Sequence, residues 1–122
     1  MKKLLFADDE ESIRLLYKEE FEEQGYEVVL AADGREALEK FTAHRPDLLV
    51  IDIKMPGMDG FEVLKKVREQ SPHVPVILCT AYGEYQHDLN AWASDDYVVK
   101  SANLEGLTQK IKTLLERQPP GS

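Results

Sequence analysis

Four consecutive apolar residues, Leu48, Leu49, Val50 and Ile51, lie between Pro46 and the sequence Asp52-Ile53-Lys54-Met55-Pro56-Gly57. The run is too short for a helix and too uniformly apolar for a strand with one wet face. It reads as a strand covered on both sides, which is what a parallel sheet requires. A strand of this kind delivers its last side chain, here Asp52, to the carboxyl edge of the sheet, where open α/β folds build their sites. Taken alone, Asp52 is equally well read as a helix cap or a turn former.

The rest of the chain repeats the pattern. Lys3–Ala7 is a first strand closed by Asp8 and Asp9. From Glu11 to Glu23, Ile13, Leu16, Tyr17 and Phe21 recur at helical spacing with Lys18, Glu19, Glu22 and Glu23 opposite, and Gly25 stops the helix. Glu27–Ala31 is a second strand, Asp33-Gly34 a turn, and Gly34–His44 a helix carrying Ala37, Leu38 and Phe41 inward. After Asp52, residues 60–70 form a third helix on Phe61, Leu64 and Val67, with Asp59 as its N-cap. Val76–Thr80 is a fourth strand, a fourth helix falls within Glu84–Trp92, and Tyr97–Lys100 is a fifth strand. Leu104, Leu107, Ile111, Leu114 and Leu115 line a final helix. Alternating strands and helices predict an α/β fold: a doubly wound, five-stranded parallel sheet in the flavodoxin-like order 2-1-3-4-5, with helices on both faces.

The 122 residues suit one domain, expected over 1–118, with 119–122 a tail that is either a linker stub or a cloning scar. Asp8-Asp9-Glu10 ends the opening apolar run too soon for a signal peptide or membrane span, so a cytoplasmic protein is expected. A net charge of −8 disfavours direct binding to nucleic acid or to an anionic membrane and suits a divalent cation. Cys79 is the one cysteine, placed in an apolar strand, and reads as an inert core thiol. His44, His73 and His87 have no metal spacing, and Trp92 reads as packing.

In the predicted strand order Asp8 and Asp9 lie one strand, about 4.8 Å, from Asp52. Three carboxylates in one crevice repel one another unless a hard cation takes up the charge, and oxygen-only ligation at a partly hydrated site points to Mg²⁺. Thr80 and Lys100 end strands on the other side. A nucleophilic carboxylate, a metal position, a hydroxyl donor and an ammonium together suit a transferring phosphoryl group.

On Asp8-Asp9, Asp52 with Lys54-Met55-Pro56-Gly57-Met58-Asp59-Gly60, Thr80-Ala81 and Asp95-Asp96-Tyr97-Val98-Val99-Lys100, the chain resembles from end to end the receiver domain of two-component response regulators, the CheY-like domain. The resemblance implies a phosphorelay switch, not a multiple-turnover enzyme, with Asp52 as phosphoacceptor from a sensor histidine kinase or phosphotransfer protein. It implies Mg²⁺ held directly by Asp9, Asp52 and the main-chain carbonyl of Lys54, with Asp8 helping through water. Thr80 and Lys100 would bind phosphoryl oxygens. Tyr97 would be an aromatic switch, or else plain core packing. The Lys54 and Tyr82 side chains would flank the phosphoryl group and tune hydrolysis, or else be exposed loop residues. A downstream effector or output domain would dock on the face made by the fourth helix, fifth strand and final helix, and homodimerisation on activation is left open.

Two features depart from the family pattern. The segment from Thr80 to Tyr97 is short by roughly half a helical turn, and Ser101 stands where proline usually follows the lysine. A trans Lys100–Ser101 bond is therefore expected, because a cis bond without proline costs about 2.5 to 4 kcal/mol. Ser101 is then free to help start the final helix. The competing reading is a small Mg²⁺-dependent phosphatase of the haloacid dehalogenase type. That chemistry wants a second acid two residues after its nucleophile, where this chain has Lys54. A flavodoxin-like cofactor binder needs a phosphate-cradling first loop, and Asp8-Asp9-Glu10 would repel a phosphate.

Overall fold

The computed structural model describes residues 1–80, 96–99 and 104–117, of which Asp96, Tyr97 and Val99 are described by backbone alone. Its elements, in order, are β1 (Lys3–Ala7), α1 (Glu11–Glu23), β2 (Glu27–Ala31), α2 (Gly34–His44), β3 (Leu48–Asp52), α3 (Gly60–Gln70), β4 (Val76–Thr80), β5 (Asp96–Val99) and α4 (Glu105–Glu116). All pairings are parallel, and the sheet order is β2-β1-β3-β4-β5. The predicted order holds.

Side chains alternate across each strand, so one run feeds two cores. Leu5, Leu49, Ile51 and Leu78 pack against Phe41 of α2 and Val63, Leu64 and Val67 of α3. Leu4, Phe6, Val50 and Ile77 face the other way, against Tyr17 and Phe21 of α1 and Leu107, Ile111 and Leu114 of α4. Phe6 stacks on Tyr17 and Phe21 at centroid distances of 4.8 and 5.1 Å. Both faces of β3 and β4 are therefore covered, and every residue of these two strands is buried.

The helix ends follow local chemistry. Asp33 caps α2 by accepting from the Glu36 N–H (2.8 Å), and Asp59 caps α3 by accepting from the Glu62 N–H (3.0 Å). After α1, Gly25 takes the left-handed conformation, φ 97°.

Three expectations are corrected. Leu16 does not face the core but is 39% exposed, because the inward stripe of α1 runs Ile13, Tyr17, Phe21 in steps of four and Leu16 sits about 100° round from Tyr17. β5 begins at Asp96, one residue earlier than its apolar run. The final helix begins at Glu105 with Leu104 at the cap position and no side-chain cap bond, so Ser101 is not its N-cap. The apolar stripe from Leu104 onward sets where this helix docks. The fourth helix within Glu84–Trp92, Tyr82, Lys100, the Lys100–Ser101 bond and the 119–122 tail lie outside the described residues.

Candidate functional site

The parallel register pairs Ala7 with Ile51, so Asp8 and Asp52 leave neighbouring strand ends side by side. Asp52 in turn pairs with Cys79, and Thr80 is the next residue on β4. Among the described residues the buried polar side chains are Asp8 (1% exposed), Asp52 (4%) and Thr80 (1%), all at the carboxyl edge of the sheet. Burying a carboxylate is costly unless something compensates for its lost hydration. Stability alone would have put apolar residues there, so this placement marks a site.

The acid turn between β1 and α1 is tightly held. The Asp8 N–H donates to the Ala31 carbonyl (3.1 Å), the Glu10 N–H donates to Asp8 Oδ1 (2.9 Å), and Arg14 Nη1 donates to the Asp8 carbonyl (2.7 Å). Carboxylate oxygens of Asp8, Asp9 and Glu10 come within 4.8 Å of one another. Asp9 and Glu10 are exposed while Asp8 is buried, so the cluster offers hard oxygen donors at the mouth of a pocket. That donor set suits a partly hydrated Mg²⁺.

The turn after β3 is longer and is held differently. Ile53 and Met55 are buried and anchor it, leaving Lys54 and Pro56 exposed on the rim. The chain reverses at Gly57, φ 76°, and the Gly60 N–H donates back to the Ile53 carbonyl (2.8 Å). A Cβ on Gly60 would lie 2.5 Å from the Asp52 carbonyl oxygen and 2.7 Å from Ile53 Cα, so only glycine fits. Gly34, at the start of α2, presses on the same turn, where a Cβ would lie 2.6 Å from the Met58 carbonyl oxygen. Asp9, Ile53, Lys54, Met55, Pro56, Asp59 and Phe61 enclose an open cleft of about 540 Å³ between the two turns.

In the core under α1 the Tyr17 hydroxyl lies 3.8 Å from Cys79 Sγ. Burial pushes the Tyr17 phenol well up from its ordinary value, Cys79 adds to this, and the carboxylates of Asp8 and Asp52 are near enough to add more. Cys79 is buried, as its sequence context suggests.

The structure thus brings Asp8, Asp9, Asp52 and Thr80 to one edge, with Lys54 on the rim. Lys100 and Tyr82 fall outside the described residues, and Tyr97 is described only as backbone of β5. Arg14 contacts the acid turn without having been named from sequence, and Gly34 and Gly60, named there only as a turn residue and a motif residue, pack against the turn after β3. A signal for the glycines existed, since both Gly34 and Gly60 directly follow a capping aspartate.

A sequence profile described as the response regulator receiver domain matches residues 4–112. The chain is 38% identical over 118 residues to the alkaline phosphatase synthesis transcriptional regulatory protein PhoP of Bacillus subtilis, covering 95% of this chain and 49% of that protein. It is 46% identical over 110 residues to sporulation initiation phosphotransferase F of the same organism, covering 90% of this chain and 81% of that one. It therefore spans about half the length of PhoP and most of the smaller relative. Among solved structures it is similar to the response regulator TrrA of Thermotoga maritima in complex with Mg²⁺-BeF, with a TM-score of 0.90, 48% identity, and coverage of 93% of this chain and 99% of TrrA. TrrA in complex with the histidine kinase ThkA matches with a TM-score of 0.88 at the same identity, covering 94% of this chain and 99% of TrrA.

Proposed function

We infer that Asp52 is the phosphoacceptor of this chain, which belongs to the response regulator receiver domain family. As a receiver it acts in phosphorelay signalling. The observation that carries the residue assignment is the burial of Asp8, Asp52 and Thr80 together at adjoining strand ends. A carboxylate oxygen of Asp52 attacks the phosphorus of a phosphohistidine on a sensor kinase or phosphotransfer protein. The P–N bond breaks as the O–P bond forms, and the imidazole leaves with the electron pair.

Asp9, Asp52 and the Lys54 carbonyl would hold Mg²⁺ directly, with Asp8 acting through water. When bound, Mg²⁺ neutralises charge on the transferring group. Asp8 and Asp9 otherwise oppose the arrival of an anion, and Thr80 and Lys100 bind phosphoryl oxygens once it is in place. Tyr97 then turns inward behind Thr80 to change the output face, and the Lys54 and Tyr82 side chains set how readily water reaches the acyl phosphate. TrrA in its complexes with Mg²⁺-BeF and with a histidine kinase supports this reading by similarity. The chain promotes only its own phosphorylation and dephosphorylation, in the cytoplasm. No described helix is long and apolar enough to cross a membrane.

Incubation with phosphoramidate and Mg²⁺ tests the assignment by intact-protein mass. One phosphoryl group should be added, none in Asp52→Asn, and none when the metal is chelated. Undiminished phosphorylation of Asp52→Asn would overturn it.

A further inference from the structure

The N-terminus of α1 is unusual in how it is secured. Glu10 occupies its cap position without a side-chain cap bond, and Glu11 is the acidic residue of the first turn. Arg14 instead reaches back out of the helix and donates from Nη1 to the carbonyl of Asp8 at 2.7 Å. A cation near the start of a helix is on the wrong side of the helix dipole. Something at this end must favour it, and a charge-assisted hydrogen bond to a carbonyl beside an acid cluster does so.

That bond completes the fixing of Asp8, whose N–H, side chain and carbonyl are then all tied. The Asp8 N–H is tied to Ala31 of β2, and the Asp8 carboxylate accepts from the Glu10 N–H. The Asp8 carbonyl belongs to the peptide that launches Asp9. Asp9 is exposed, so surrounding side chains do little to confine its carboxylate, and its direction is set by the backbone behind it.

We propose that Arg14 is a positioning residue for the metal site: by holding the Asp8 carbonyl it aims the Asp9 carboxylate, and so sets the affinity for Mg²⁺. This rests on the receiver reading given above. The guanidinium acts on the metal in two opposite senses. Its charge repels a nearby cation, whereas its hydrogen bond preorganises the ligands. The preorganisation is the larger effect.

The test is titration with Mg²⁺ alone, read from the backbone amide shifts of the Asp8–Arg14 turn in the full chain, with urea stability of the metal-free proteins measured in parallel. Arg14→Ala should weaken Mg²⁺ binding about tenfold, the lower end for groups that orient metal ligands. Arg14→Lys should recover most of that loss, since one donor suffices for a single bond to a carbonyl. Arg117→Ala, which removes an exposed charge at the far end of α4, should leave the affinity unchanged. Unchanged or tighter binding in Arg14→Ala would overturn the proposal, as would a loss that Arg14→Lys fails to recover. A wild-type chain that binds no Mg²⁺ would instead overturn the receiver assignment of the metal site, and this inference with it.

Discussion

The two turns at the carboxyl edge carry carboxylates toward the same pocket, yet they are secured mainly by different means. The acid turn after β1 is short, and polar hydrogen bonds hold it: the Asp8 N–H donates to Ala31, and Asp8 accepts from Glu10 and Arg14. The turn after β3 is longer, and besides the bond from the Gly60 N–H to the Ile53 carbonyl, close backbone packing holds it, at Gly60 on the end of β3 and at Gly34 on Met58. Polar ties of this kind fix direction while the Asp9 and Glu10 carboxylates stay open to water. A turn that backs a nucleophile gains from being pressed against the strand, which leaves Asp52 little freedom to move.

The comparison can be broken most severely at Gly60. A methyl there meets backbone that cannot step aside, so Gly60→Ala should cost about 3 kcal/mol or more, at or above the usual upper range for overpacking. Urea denaturation should show a lowered midpoint, and phosphorylation should fall even under conditions where the protein stays folded. A stability within error of wild type would mean that the turn is not pressed against β3.

A smaller loss is expected at Asp59. Its cap bond to the Glu62 N–H secures α3 from outside the packed segment, so Asp59→Ala should cost about 1 kcal/mol in the same denaturation assay. Gly57 lies in open space, with nothing within 4 Å of an added Cβ, and only its positive φ opposes substitution. Gly57→Ala should therefore cost about 1 to 2 kcal/mol, below Gly60→Ala. If the two glycine variants were equally damaging, backbone conformation and not close packing would be what holds the turn.

Tyr17, in the core beside Cys79, gives the smallest effect at neutral pH. Tyr17→Phe should change stability there by less than about 0.5 kcal/mol, because the hydroxyl makes one long contact to a thiol. At high pH the sign is clear. The folded chain holds the Tyr17 proton more tightly than the unfolded chain does, so the stability it contributes is complete below the unfolded value of about 10 and is lost as pH rises beyond it. Circular dichroism against pH should show Tyr17→Phe unfolding at higher pH than wild type. Coincident curves would mean that Tyr17 ionises as freely folded as unfolded.

Much of this arrangement was legible in the sequence, for a physical reason. Short apolar runs that end on Asp8, Asp52 and Thr80 announce both the strands and the edge at which they stop, and Asp59 shows its cap by position alone. Leu16 was misread because helical spacing admits two neighbouring stripes, and the choice between them is made by what Phe6 offers α1 to stack on. Arg14 was invisible because its bond runs to a carbonyl six residues back and outside the helix, a spacing with no periodic signature. The fit of Gly60 against Asp52 depends on how α3 approaches β3, which local sequence does not encode.

The central claim is that the buried carboxylate of Asp52, and no other acid in the cluster, takes the phosphoryl group. The most direct measurement is to phosphorylate the wild-type chain with phosphoramidate and Mg²⁺, reduce the acyl phosphate with borohydride, and locate the modified residue by peptide mass spectrometry. Conversion of Asp52 to homoserine, with Asp8, Asp9 and Glu10 intact, is the expected result. Conversion at Asp8 or Asp9 with Asp52 unmodified would contradict it.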